Sequence, residues 1–219
     1  DTLTRILNKG ETFGLEAIPD ETSANNAGWI GTSITSDKPI AISVGGLNVG
    51  VSSAASRDVG IDQIVPTNLL GKEYALIRGR GEERVEFAIV VSHLDNTEVY
   101  AGGVLVGTID DGEYLEIPST YYSSTEAASN MYINTSKESY VYQCMAGQEH
   151  IKTLGMNFVA PINCLLPTSI SEIPLIDEIA GVTSGESAIT IIASTATPNS
   201  EITITDGSGN VPITAGQNI

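Results

Sequence analysis

The chain has 219 residues, 41% of them apolar, and carries 10 basic against 27 acidic side chains, a formal net charge of −17. That apolar content can bury a core and excludes a disordered polymer, while the acidic balance excludes a nucleic-acid surface and adsorption to anionic lipid, both of which need clustered Lys and Arg. No stretch reaches the ~18 consecutive apolar residues of a membrane span, so no membrane insertion is expected.

Aromatic residues are few, and Val, Ile, Thr, Ser and Gly dominate, which suits pleated surfaces joined by tight turns. In chain order, a glycine turn comes first, in "TRILNKGETF" (4–13). "WIGTSITS" and "PIAISVGG" follow, separated by Asp37, Lys38 and a proline, and read as a hairpin. "EYALIRG" and "VEFAIVVSH" flank "RGEER" and read as a second one. "NTEVYAGG", "VLVGTI" and "EYLEIP" come next, with Asp111-Gly112 as a two-residue hairpin signal. The best helix candidate, 168–181, is short and broken by Pro174.

An internal repeat runs through this order. The blocks at 4–13, "VGTIDDGEYL" (106–115) and "VPITAGQNI" (211–219) each place an apolar residue three positions before a glycine, and Gly10, Gly112 and Gly216 lie 102 and 104 residues apart. "TSDKPIAISVGGL" (35–47) matches "TSKESYVYQCMAG" (135–147), and "DQIVPTNLL" (62–70) matches "NFVAPINCLL" (157–166). The expected fold is all-β: two tandem β-sandwich-like repeats of ~100 residues, spanning 1–111 and 112–219. The two ends share one phase of the repeat, as in a piece of a longer array. The chain opens at Asp1 without a leader, which reads as a mature or cytosolic sequence.

Catalytic patterns are missing. A G-x-S-x-G elbow is absent, and the acids of Asp110-Asp111-Glu113 sit on one turn instead of facing each other across a cleft. His93 closes an apolar strand with no nucleophile or orienting group in view. A zinc site lacks its ligands. The expectation is a non-enzyme without a cofactor, with Ca²⁺ at Asp95 or Asp206 as a weak candidate because both stand on loops rich in hard oxygen donors. Arg78, Arg80 and Arg84 form one basic cluster, and Tyr121 and Tyr122 open a loop of small polar residues; these are the candidate contact loops.

Aligned through the repeat, Cys144 falls on Val44 and Cys164 on Leu69. Both cysteines therefore read as buried, either as one disulfide or as two thiols; the disulfide is expected if the chain is extracellular.

The order "DQIVPTNLLGKEYALIRG", "HLDNTEVYAGG", "TIDDGEYLEIP", "MYINTSKESYVYQCMAG" and "GMNFVAPINC" resembles the N-terminal domain of IgGFc-binding proteins, from about Trp29 to about Ile204. It is most similar to the branch found in large surface or secreted proteins of Bacteroidetes-type bacteria. The resemblance implies an extracellular or cell-surface β-module for binding or adhesion without catalysis, part of a larger bacterial protein. Its partner would be a protein or glycan on another surface, or further copies of itself. A second expectation is a subunit or spacer of an extracellular fibre assembled through β-strand contacts.

Overall fold

A computed structural model of the protein describes residues 2–16, 30–49, 58–79, 81–82, 85–125, 128–145, 155–163, 166–170, 190–193, 202–206 and 209–211. Its strands are β1 (Ser43–Val49), β2 (Asp58–Gln63), β3 (Gly71–Ile77), β4 (Glu86–Ser92), β5 (Thr97–Ala101), β6 (Val104–Ile109), β7 (Tyr114–Ile117), β8 (Asn130–Met145), β9 (Gly155–Phe158), β10 (Ile204–Asp206) and β11 (Gly209–Val211). Among the described residues there is no α-helix, and the protein is all-β. Strands β3 to β9 form one sheet; β1–β2 and β10–β11 are separate antiparallel pairs.

The 16-residue β8 is the spine. Its first half, through Thr135, pairs with β3 and with β5, and β3 reaches on to Ser139 through Gly71. Its second half, from Ser139, pairs with β4 and with β9. β6 extends the sheet beyond β5, and β7 extends it beyond β4. The consecutive strands β4 and β5 thus lie end to end along β8, and β6 and β7 lie end to end outside them. Side chains of both halves meet in a single core: Tyr74, Met131 and Ile133 from one, Val90, Ile117 and Val141 from the other. The sheet is folded over itself, as a sandwich would be.

The alternation that builds this core is visible in β4, where Glu86, Ala88, Val90 and Ser92 are buried and the intervening residues half-buried. The fold line passes through two facing turns. The hydroxyls of Ser92 and Thr97 lie 2.8 Å apart and both donate to the Leu94 carbonyl, at 2.7 and 2.8 Å. Across from them, Gly112 N–H donates to Ser92 O and Ser92 N–H to Glu113 O, each at 3.0 Å.

Several expected pairings are corrected by this topology. The strands flanking "RGEER" do not pair with each other; β3 and β4 both pair with β8. Asp111-Gly112 does not close a hairpin, because β6 and β7 take different partners and the turn carries the chain round the fold line. Thr135 to Met145 is uninterrupted strand, not a hairpin, since neighbouring strands pair with β8 on both sides of the charged Lys137-Glu138 pair, which itself stands at a register shift. Its supposed counterpart bends at Asp37-Lys38 and enters β1, which pairs with β2 rather than with 29–36. The helix candidate 168–181 falls almost wholly outside the described residues.

Two tandem repeats are not seen among the described residues. The boundary at 111/112 lies in the turn between β6 and β7, whose Ile109 and Ile117 share one core. What recurs is local. Glu11 N–H donates to Asn8 O and Glu113 N–H to Asp110 O, each at 3.0 Å. Asn8 N–H reaches Glu11 Oε2 at 2.8 Å, and Asp110 N–H reaches Glu113 Oε2 at 2.9 Å. Gly10 and Gly112 both adopt positive φ, +84° and +79°, which the third position of such a turn requires and which glycine adopts without strain. The third glycine turn, at 211–219, lies outside the described residues apart from Val211.

Candidate functional site

The two loops singled out in the sequence are joined in the structure. Arg78, at the end of β3, is buried. Its guanidinium donates through Nη1 to the Thr125 carbonyl and through Nη2 to the Gly81 carbonyl, the latter at 3.0 Å. Its backbone N–H donates to Ser129 O at 2.6 Å, and its carbonyl accepts from Ala128 N–H at 3.0 Å. One residue thereby ties the segment after β3 to the segment before β8.

Glu86 completes the arrangement from β4. Its carboxylate, 1% exposed, accepts the N–H of Gly79 at 2.6 Å and the N–H of Gly81. A buried carboxylate is tolerable only when its oxygens are bonded, and here the bonds hold Gly79 and Gly81. Tyr122 lies in the core, and its hydroxyl accepts from Gln143 Nε2 at 3.0 Å. Burial pushes this hydroxyl up to about 12, and the nearby Glu86 carboxylate adds to the shift. Tyr121 packs against the same core and is half-buried.

Arg78 and Tyr122 therefore point inward and position the loops. The surface they leave consists of Gly81, Glu82 and the small polar residues Ser123, Ser124 and Thr125. Arg80 and Arg84 lie outside the described residues. Glu86 and Gln143 escaped the sequence reading, although Glu86 carries a signal: it is the charged residue on the core-facing phase of an otherwise apolar strand, with Ala88 and Val90.

At the fold line, Asp95 accepts the Asp111 N–H at 3.2 Å through Oδ1, and its carbonyl accepts from Lys137 Nζ. Asp110 Oδ1 accepts the Asn96 N–H at 2.8 Å. These carboxylates lock the turns. Among the described residues no three His, Cys, Asp or Glu side chains converge as a metal site requires. Asp206 closes β10. His93, half-buried beside these turns, has an unpartnered Nδ1.

Cys144 is a free thiol among the described residues, which do not include the Cys164 expected to pair with it. It faces away from the main core and fills a smaller cluster with Val85, Phe87 and Ile89. A cysteine in that setting acts as a small hydrophobe. Cys164 lies outside the described residues. The alignment with Val44 misleads as well: Val44 is 47% exposed, whereas Cys144 is fully buried.

The profile of the family described as IgGFc binding protein matches residues 1–218. The chain belongs to the IgGFc binding protein family. No curated protein and no solved structure is similar enough to match it. IgGFc binding proteins are usually extracellular, and the family is one of binding domains, not known as enzymes. Among the described residues no helix is long and apolar enough to cross a membrane.

Proposed function

We propose that the protein is a non-catalytic adhesion module of a larger bacterial cell-surface protein, which contacts a protein or glycan through the joined loops 79–82 and 121–130. One observation carries this reading: the buried Arg78 and Glu86 hold both loops by their backbones. Loops ordered before binding cost less entropy on binding, and small polar residues beside a rigid frame suit polar, glycan-like or protein epitopes.

The test is binding of the protein to a glycan array and to immobilised extracellular glycoproteins, with Thr125→Lys as the loop variant. Thr125 is exposed and contributes only its carbonyl to the Arg78 clamp. The reading expects Thr125→Lys to weaken the strongest interaction by about tenfold, ~1.4 kcal/mol, without lowering thermal stability. Unchanged affinity sinks the loop assignment.

A second reading, a fibre subunit or spacer joined by strand contacts, is favoured by a separate feature. β6 ends the sheet, is open on its outer side among the described residues, and exposes Val104 and Leu105.

A further inference from the structure

The turn at 8–11 reproduces the hydrogen bonds and the positive-φ glycine of the turn between β6 and β7. Beyond the shared hydrogen bonds of the two turns, one contact across the bend also recurs. The Arg5 guanidinium lies 5.3 Å over the Phe13 ring. At the corresponding positions, Gly107 lies against Leu115, whose Cδ2 is 3.2 Å from where a Cβ on Gly107 would stand. Yet the two ribbons are placed differently. β6 and β7 are paired with β5 and β4. Among the described residues, the one backbone–backbone bond of residues 2–16 is the turn bond of Glu11 to Asn8. Ile6 is 90% exposed, and Leu3, Leu7, Phe13 and Leu15 are exposed with it.

The sheet offers a place for such a ribbon. The free side of β3 carries Lys72 and Glu73 and is covered where Ile162 N–H donates to Glu73 O at 2.7 Å. β6, "VLVGTI", has no charge and no proline, the usual guards of an exposed edge. Any strand added outside β6 and β7 must bend where they bend, at 110–113, alongside the Gly31 that already packs on Gly112, and the turn at 8–11 supplies that bend.

We infer that residues 2–16 of one copy add to the open β6–β7 edge of a second copy, as an eighth, bent ribbon of its sheet. The contact is heterologous, since donor and acceptor are different surfaces, and so it propagates from copy to copy. The inference rests on the strand-contact reading and commits it to a donor and an acceptor.

The test is sedimentation velocity over a concentration series, on the full chain and on two variants with charges at exposed sites: Ile6→Asp in the donor and Leu105→Lys in the acceptor. The full chain forms concentration-dependent oligomers, and each variant alone sediments as a monomer with an unchanged circular dichroism spectrum. Mixing the two variants restores dimers and nothing larger, because each variant retains one working surface. A full chain that stays monomeric throughout overturns the inference together with the strand-contact reading. Oligomers that survive both substitutions overturn this donor and acceptor and leave strand contact through another edge standing.

Discussion

At the scale of single residues, the charged side chains that matter most are turned inward. Glu86 accepts two backbone amides from within the sheet, and replacing it leaves both half-buried amides without this partner. Hydrogen bonds to a charged group contribute roughly 1.5–3 kcal/mol each, so Glu86→Ala is expected to lower the unfolding free energy by about 3 kcal/mol in urea titrations. A loss under about 0.5 kcal/mol, the scale of an ordinary surface change, would mean the carboxylate does not hold Gly79 and Gly81. Cys144 makes the opposite point, because its value lies in staying unreactive. Burial, with a smaller push from the Glu116 carboxylate, raises its thiol to about 12, and the thiolate is the reactive form. Iodoacetamide at pH 8 should leave the native protein unlabelled at Cys144 and modify it once guanidinium unfolds the chain without reductant. Mass spectrometry of the peptide around Cys144 reads this directly, and a peptide that stays unmodified after unfolding would show that the thiol is blocked.

At the scale of elements, two glycines of similar φ have unequal tasks. Gly112 turns the chain at the fold line, and a Cβ there would meet Gly31 O at an ordinary 3.7 Å. Gly112→Ala therefore carries the backbone strain alone, about 1–2 kcal/mol. Gly31 has φ +80°, and a Cβ there would stand 2.1 Å from the Gly112 carbonyl oxygen. Gly31→Ala adds a clash of backbone on backbone, which only displacement of the 30–31 segment can relieve. Paired thermal denaturation of the two variants should find Gly31→Ala the more destabilising. The reverse order would show that the 30–31 segment does not pack on this turn. The same turn explains how a hairpin signal misled. Asp-Gly announces a tight reversal between neighbours, but at 111–112 the reversal joins strands paired to different partners, and only the ladder of β4 and β5 decides that.

For the whole molecule, the two faces of the sheet titrate together. Tyr122 sits in the core, and Tyr142 sits on the opposite face against Phe158 and Tyr140. Burial pushes both hydroxyls up to about 12. In the unfolded chain a tyrosine titrates near ~10. The folded state thus holds its protons where the unfolded state releases them. Stability is complete below pH ~10 and declines as pH climbs towards 12. Absorbance of tyrosinate at 295 nm should show these two of the 8 tyrosines ionising late and in step with loss of the β-sheet circular dichroism signal. Free ionisation of all of them near ~10, with the sheet intact, would contradict the burial on both faces.

The sequence by itself determined the class of the fold, the family and the local turns. Val, Ile and Thr at alternating positions, with glycine where φ must be positive, encode strands and bends within a few residues of themselves, and so the turns at 8–11 and 110–113 could be matched before either was seen. The fate of the candidate residues was settled by tertiary structure. Arg78 and Tyr122 are the residue types of an exposed contact surface, and nothing local announces that Thr125, Gly81 and Gln143 draw them inward. The expected division into two sandwiches is not seen among the described residues, and the reason is again tertiary. Which strand takes which neighbour depends on ladders between residues far apart in the chain, from Glu86 with Met145 to Gly71 with Ser139, and a 16-residue β8 with partners on both edges draws the described strands between 71 and 158 into one sheet where local pattern suggested a seam.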